Sequence, residues 1–167
     1  MSAPAEAALD ALRKALGDGL QSCSLDGGTL RLQVASASLH QAALHLRDAD
    51  GLRFDYPGDL FAWDTGERFV VVYRLWSTTL SQTALLRVEL EREGAAVASV
   101  TDIWPGMNWH EREVYDLYGI EIVGHPDAGD PTRMRILLPK DWEGFPFRKD
   151  YVPVFSGDPL HGPQETN

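Results

Sequence analysis

The apolar positions of this chain change period several times, and each change marks an element. In "AEAALDALRKALG" Ala8, Leu9, Leu12, Ala15 and Leu16 recur at helical spacing, and Gly17 or Gly19 can supply a left-handed stop, which predicts a first helix. "LQSCSLDGGTLRLQVA" reads as a hairpin, because Asp26-Gly27-Gly28 is turn chemistry and Leu30, Leu32 and Val34 alternate with Arg31 and Gln33. A second helix follows in "SASLHQAALHLRDADG", capped by Ser36 or Ser38, with Leu39, Ala42, Ala43 and Leu46 facing inward. Three strands come next. "LRFDYPGDLFAW" turns Leu52, Phe54 and Tyr56 inward, "RFVVVYRLW" is apolar on both faces and reads as central, and "ALLRVELERE" turns Leu86, Val88 and Leu90 inward.

After Gly94 the pattern weakens. "VASVTDIWPGMNW" leads into a short helix started by Asn108 as N-cap and stopped at Gly119, and "IEIV" adds a short strand. The order α-β-β-α-β-β-β-α predicts an α+β fold: a mixed β-sheet with helices on one face, plus an irregular C-terminal arm. Five of the ten prolines, Pro126, Pro131, Pro139, Pro146 and Pro153, lie between positions 126 and 153. Each removes a backbone donor and restricts the residue before it, which favours extended chain. Two regions are expected, a core over 1–127 and a docking arm over 128–167. Ile136, Leu137, Leu138, Trp142, Phe145 and Phe147 argue that something covers the arm, which is expected to be comparatively mobile when the chain is alone.

With 167 residues, 44% of them apolar, the chain is long enough to bury a real core. Its formal charge of −10 has the wrong sign for a nucleic-acid partner. The longest apolar run, Phe69 to Tyr73, is far short of the roughly 20 residues that span a bilayer. Glu6 and Asp10 interrupt the N-terminus where a signal peptide would be uncharged, so a cytosolic-side protein is expected. The single cysteine, Cys23, excludes an intramolecular disulfide and a self-contained iron–sulfur cluster, which takes about four ligands, mostly thiolates. Neither a dinucleotide nor a triphosphate Gly-rich cradle is present in the sequence.

The densest chemistry is "WHEREVYDLYGIEIVGHPD". On a helix from Asn108 to Tyr118, positions 109, 112, 113 and 116 share one stripe, and Arg112 can pair with Asp116 four residues on, worth roughly 0.2–0.5 kcal/mol if exposed. "HEREV" approaches the His-Glu-x-x-His zinc signature, but Val114 stands where the second His is needed. Glu111 and Glu113 are two apart and point to different sides, which is poor geometry for an acid–base pair. A charged helix facing solvent or a partner is the better reading. His125 in "GHPD" reads as a turn residue bonded to backbone, and Trp104, Trp109 and Trp142 fit either core filling or partner anchoring.

These residues resemble a known family. Trp109, Glu111, Arg112, Glu113, Asp116, Gly119 and Ile120, then Gly124, His125 and Pro126, then Arg135, Ile136, Leu137 and Pro139, then Trp142, Glu143, Gly144, Pro146, Arg148, Lys149, Asp150 and Tyr151 are similar to the signature region of the C subunit of bacterial proton-pumping NADH:quinone oxidoreductase, the thirty-kilodalton subunit family of respiratory complex I. The resemblance covers roughly residues 30 to 155. It departs from the family pattern at "AGDPTRM", which lengthens the loop after Asp127 and leaves Arg133 and Arg135 as alternatives for one family position.

The resemblance implies a non-catalytic assembly subunit at the cytoplasmic face of the inner membrane, held there by cluster-bearing and quinone-site subunits of B and D type. It implies no cofactor on this chain, with flavin, iron–sulfur clusters and quinone in the partners. Trp109, Glu111, Arg112, Glu113, Asp116, His125, Arg135, Trp142, Arg148, Lys149, Asp150 and Tyr151 become the expected subunit-interface residues. Related subunits occur in membrane-bound nickel–iron hydrogenases and other-donor quinone oxidoreductases, which is the alternative. A free-standing metal or acid–base enzyme using His110, Glu111, Glu113 and His125 is the contrasting reading.

Overall fold

A computed structural model describes residues 3–153. Helix α1 (Ala3–Leu16) leads through a short 3-10 turn into the hairpin β1 (Leu20–Asp26) and β2 (Thr29–Val34), then α2 (Leu39–Asp48), β3 (Tyr56–Asp64), β4 (Arg68–Ser77) and β5 (Gln82–Glu91). After these come β6 (Ala96–Ala98), α3 (Met107–Tyr118), β7 (Glu121–Val123) and the single-turn α4 (Pro131–Met134).

The large sheet runs β1-β2-β5-β4-β3. Its pairings are antiparallel except β2 with β5, because α2 carries the chain to the far edge and the β3-β4-β5 meander returns to insert β5 beside β2. β4, expected to be central, is paired on both sides, but the middle place belongs to β5. A smaller pair, β6 with β7 in parallel, is only half visible in the sequence, since Ala96–Ala98 is too short to show a period.

One face of the sheet carries Leu30, Leu32, Val34, Phe69, Val71, Tyr73, Leu75, Leu86 and Val88 into a core closed by Leu9 and Leu12 of α1, Leu39 and Leu46 of α2, and Met107 and Val114 of α3. The opposite face lacks a helical cover among the described residues, and there Phe61, Trp63, Val72, Leu85, Arg31 and Arg87 line an open depression of about 420 Å³. The expected arrangement, helices on one face of a mixed sheet, therefore holds.

Several local expectations change. Ala15 is exposed and Ala5 takes its place on the buried stripe of α1. Leu52 and Phe54 are buried as expected but precede β3, and Tyr56, the first strand residue, is 57% exposed. Ser38, one of the two expected positions, is the N-cap of α2 but makes no side-chain cap bond, and Ser36 Oγ donates to the Ala96 carbonyl, tying the 3-10 turn before α2 to β6. Gly106, not Asn108, is the N-cap of α3, while Gly119 ends it as expected, left-handed at φ +66°.

Residues 128–153, the described part of the expected docking arm, lie against the core. The segment after α4 is irregular, but Arg135, Phe145, Phe147, Arg148 and Lys149 all reach back to α3, β4 or the β3–β4 turn. Residues 154–167 of the expected arm lie outside the described residues.

Candidate functional site

The site is built around α3, whose inward face and C-terminal end carry the chemistry. Its C-terminus leaves carbonyls without intrahelical partners, as every helix does. Here the following segment supplies them. Arg135 Nη1 donates to the Asp116 carbonyl, the Phe147 N–H donates to Leu117, and Arg148 donates from Nε to Tyr118 and from Nη2 to Gly119. Two guanidinium cations at the negative end of the helix dipole add attraction to those bonds.

Asp116 fixes the same segment from the side. Its side chain is fully buried, with Oδ1 accepting from Arg135 Nη1 at 2.8 Å and Oδ2 accepting the successive N–H groups of Ile136, Leu137 and Leu138 at 3.0, 2.8 and 3.0 Å. Successive N–H groups curled round one oxygen form an anion nest. Burial works to raise the Asp116 carboxyl, but these N–H groups and the guanidinium outweigh it and hold it below its ordinary value. The expected Arg112–Asp116 pair does not form, because Asp116 is claimed by a residue 19 positions on.

Aromatic rings and cations continue the contact. The guanidinium carbon of Arg148 lies 5.1 Å from the centre of the Phe69 ring and 4.9 Å from that of Phe145, Arg92 lies over Phe69 at 5.2 Å, and Arg135 over Phe145 at 5.4 Å. Tyr118 meets Phe69 and Phe147 edge-on, and Tyr115 meets Phe145 the same way. Phe145 also covers Gly119, where any Cβ would collide with its ring. Asp64, buried at the end of β3, accepts the Lys149 N–H and binds Arg92, which also pairs with Asp150 at 2.7 Å; Lys149 Nζ donates to the Thr65 carbonyl. Tyr151 packs on Gly144.

Glu111 works at the inward face of α3. It is fully buried, accepting from Ser99 Oγ at 2.7 Å and from the Val100 N–H at 2.7 Å, so it ties the helix to the turn after β6. Burial is the main cause that pushes its carboxyl up to about 7, against those two hydrogen bonds. Close by, the Tyr73 hydroxyl is buried without a partner among the described residues. His125 is bonded through both ring nitrogens, Nε2 with the Asn108 carbonyl and Nδ1 with the Asp127 N–H, which requires the proton on Nε2. Burial lowers its pKa, with the Arg112 charge acting in the same direction.

Of the residues expected at an interface, Glu111, Asp116 and His125 are buried and bonded within the chain, Arg135 binds Asp116, and Arg148, Lys149 and Asp150 also make contacts within the chain. Trp109, Glu113 and Trp142 remain at the surface, and Arg112 is half-buried. Arg135 binds Asp116 while Arg133 pairs with Asp127, so the two candidate arginines have separate tasks. His110, Glu111, Glu113 and His125 do not converge: Glu111 points into the core, Glu113 is exposed, and His125 is occupied by backbone. Sequence reasoning misses Ser99, Phe69 and Asp64 altogether. A signal does exist for Glu111, which follows Met107 by four and precedes Val114 by three on the apolar stripe.

The family model described as respiratory-chain NADH dehydrogenase, 30 Kd subunit, matches residues 32–155. The chain belongs to this family. The NADH-quinone oxidoreductase C subunit of Roseiflexus sp. (strain RS-1) is 40% identical over 149 residues, covering 87% of this chain and 82% of the relative. The NADH-quinone oxidoreductase C/D subunit of Acidiphilium cryptum (strain JF-5) is 40% identical over 124 residues, covering 68% of this chain and 20% of that longer relative. Among solved structures, the trypsin-resistant fragment (1-134) of Nqo5 is 30% identical with a TM-score of 0.58, covering 72% of this chain and 98% of the fragment. A chain of the archaeal membrane-bound sulfane sulfur reductase shares the fold, with a TM-score of 0.70 at 19% identity, covering 88% of this chain and 85% of its own.

Two substitutions test the two carboxylates. Asp116→Asn removes the negative charge facing the Arg135 guanidinium and weakens the N–H nest, so it should cost about 3 kcal/mol in a denaturant titration and move the first tryptic cut to Lys140, Arg148 or Lys149; an unchanged midpoint would contradict the lock. Glu111→Gln reports on pH. Because the folded-state value is raised, wild-type stability from this group is complete below the ordinary 4.5 and is lost as pH rises toward about 7. The melting temperature of Glu111→Gln relative to wild type should therefore climb between pH 5 and 8, by an amount equivalent to roughly 3 kcal/mol at most. A difference that stays flat across that range would show that Glu111 is not a buried acid.

Proposed function

We propose that this chain is a non-catalytic structural subunit of the peripheral arm of NADH:quinone oxidoreductase, the complex that passes electrons from NADH to quinone and couples this to proton translocation. One observation carries the reading. The ionisable residues of the family's signature region are largely spent on internal hydrogen bonds that hold a surface in shape, with Glu111, Asp116 and His125 engaged in the chain's own backbone and side chains. A catalytic acid or base needs reach to a substrate proton, and these groups are buried and bonded within the chain.

The relatives support the choice of complex, since the Roseiflexus and Acidiphilium proteins carry the names of NADH-quinone oxidoreductase C and C/D subunits. In the Acidiphilium relative the C and D designations are joined in one longer protein, which favours a D-type subunit as an immediate neighbour. A cluster-bearing B-type subunit is the second partner in this reading, and flavin, iron–sulfur clusters and quinone belong to the partners. No helix among the described residues is long and apolar enough to cross a membrane, so attachment at the cytoplasmic face of the inner membrane would come through those partners.

Co-expression with the neighbouring subunits in a host lacking its own copy tests this. The chain should co-purify with the B- and D-type subunits, membranes without it should lose NADH:quinone activity, and the isolated chain should oxidise no NADH. Recovery of the chain alone, with full activity in membranes that lack it, would overturn the proposal.

A further inference from the structure

α3 turns Met107, Glu111 and Val114 into the core, while on the stripe of Trp109, Arg112, Glu113 and Asp116 only the last is covered, by the segment 135–138. Trp109 is 67% exposed, although tryptophan is among the most costly side chains to leave in water. Three residues on, one helical turn away, Arg112 lays its guanidinium carbon 5.4 Å from the centre of the indole ring. The other arginines round the end of this helix all have acceptors: Arg92 has Asp64 and Asp150, Arg133 has Asp127, Arg135 has Asp116, and Arg148 has the carbonyls of Tyr118 and Gly119. Arg112 has none among the described residues, and its Nε is withdrawn from solvent without an acceptor. A chain with a formal charge of −10 thus leaves one indole-backed cation unpaired on the outer side of its signature helix.

We propose that Trp109 and Arg112 form a ready-made docking point for a carboxylate-bearing segment of a partner protein, with an Asp or Glu side chain bound to the guanidinium and an adjoining apolar side chain over the indole. The proposal rests on the assembly reading and names the chemistry that reading leaves open. A planar guanidinium takes a carboxylate through two parallel hydrogen bonds, and one already resting on a ring loses little freedom when it does so. Trp and Arg are the side chains that most often dominate interface energies when both are desolvated together. A lipid phosphate would satisfy the same guanidinium, but the net charge of this chain repels an anionic membrane surface. A second copy of the chain would bring another −10 against the first. The unpaired guanidinium thus calls for a local carboxylate, and the net charge of this chain favours one carried by a different subunit over a second copy or an anionic membrane.

The test uses the co-expressed complex. A photo-crosslinking residue, p-benzoylphenylalanine, at position 109 should capture a peptide of one partner subunit that contains Asp or Glu. Arg112→Glu and Trp109→Ala should each lower recovery of the assembled complex by about tenfold or more, while the isolated variants melt as wild type does. Arg112→Lys keeps the charge and loses the planar fork, and should fall between wild type and Arg112→Glu. Replacing the captured carboxylate by Lys should restore assembly of Arg112→Glu. If wild type assembles and both variants assemble equally well, the docking point is wrong while the assembly reading stands; if wild type itself does not assemble, both fall. Binding to phosphatidylglycerol vesicles that depends on Arg112, or self-association that depends on Trp109, would replace the protein carboxylate with another occupant and overturn the proposal.

Discussion

The open end of α3 is the constraint on which the rest of the C-terminal half depends. A helix that stops at Gly119 exposes carbonyls and the negative end of its dipole beside a buried aspartate, and such groups cannot be left dry and unpaired. The chain resolves this with its own following segment. Arg135, Arg148 and the N–H groups of Ile136, Leu137, Leu138 and Phe147 are the donors, and each bond made to the helix also removes freedom from the proline-rich stretch that makes it. The prolines explain why no regular element could do the same work, since they interrupt both the helical and the ladder pattern of N–H donors.

Aromatic packing makes the contact cooperative. Arg148 touches Phe69 of β4 and Phe145 of the C-terminal segment together, so the sheet, the end of α3 and the segment share one guanidinium. Asp64 extends the connection to the turn between β3 and β4 through the Lys149 N–H and Arg92. On the inward side of α3, Glu111 meets Ser99 and Val100, where the helix is held to the chain leaving β6. A helix tied down at both places presents its outer side, with Trp109 and Arg112, in a fixed orientation.

How much of this is legible depends on distance along the chain. The helical stripes of α1 and α2, the Gly27-Gly28 hairpin and the alternation of Leu86, Val88 and Leu90 are local patterns, and they appear in the structure where the sequence predicts them, with small shifts at Ala15, Tyr56 and the helix caps. Asp116 is different, because a helical projection shows only neighbours within a turn or two, and it offers Arg112 where the true partner is Arg135. Glu111 occupies a core position of its stripe, yet it reads as a surface charge because carboxylates so seldom occupy such positions without a partner. That partner, the backbone of Val100, leaves no mark in a sequence. The aromatic residues of the C-terminal segment carry the expectation of a cover in their size alone; what covers Phe145 is the chain's own Gly119, Tyr115 and Arg148.

Native-state hydrogen exchange on the isolated chain tests the central claim most directly. If the end of α3 holds the C-terminal segment, the amides of Ile136, Leu137, Leu138 and Phe147 should exchange within about tenfold of the amides of α3 itself, because opening one opens the other. Exchange of these four at the rate of an unstructured peptide, with α3 still protected, would show that the helix end does not hold the segment.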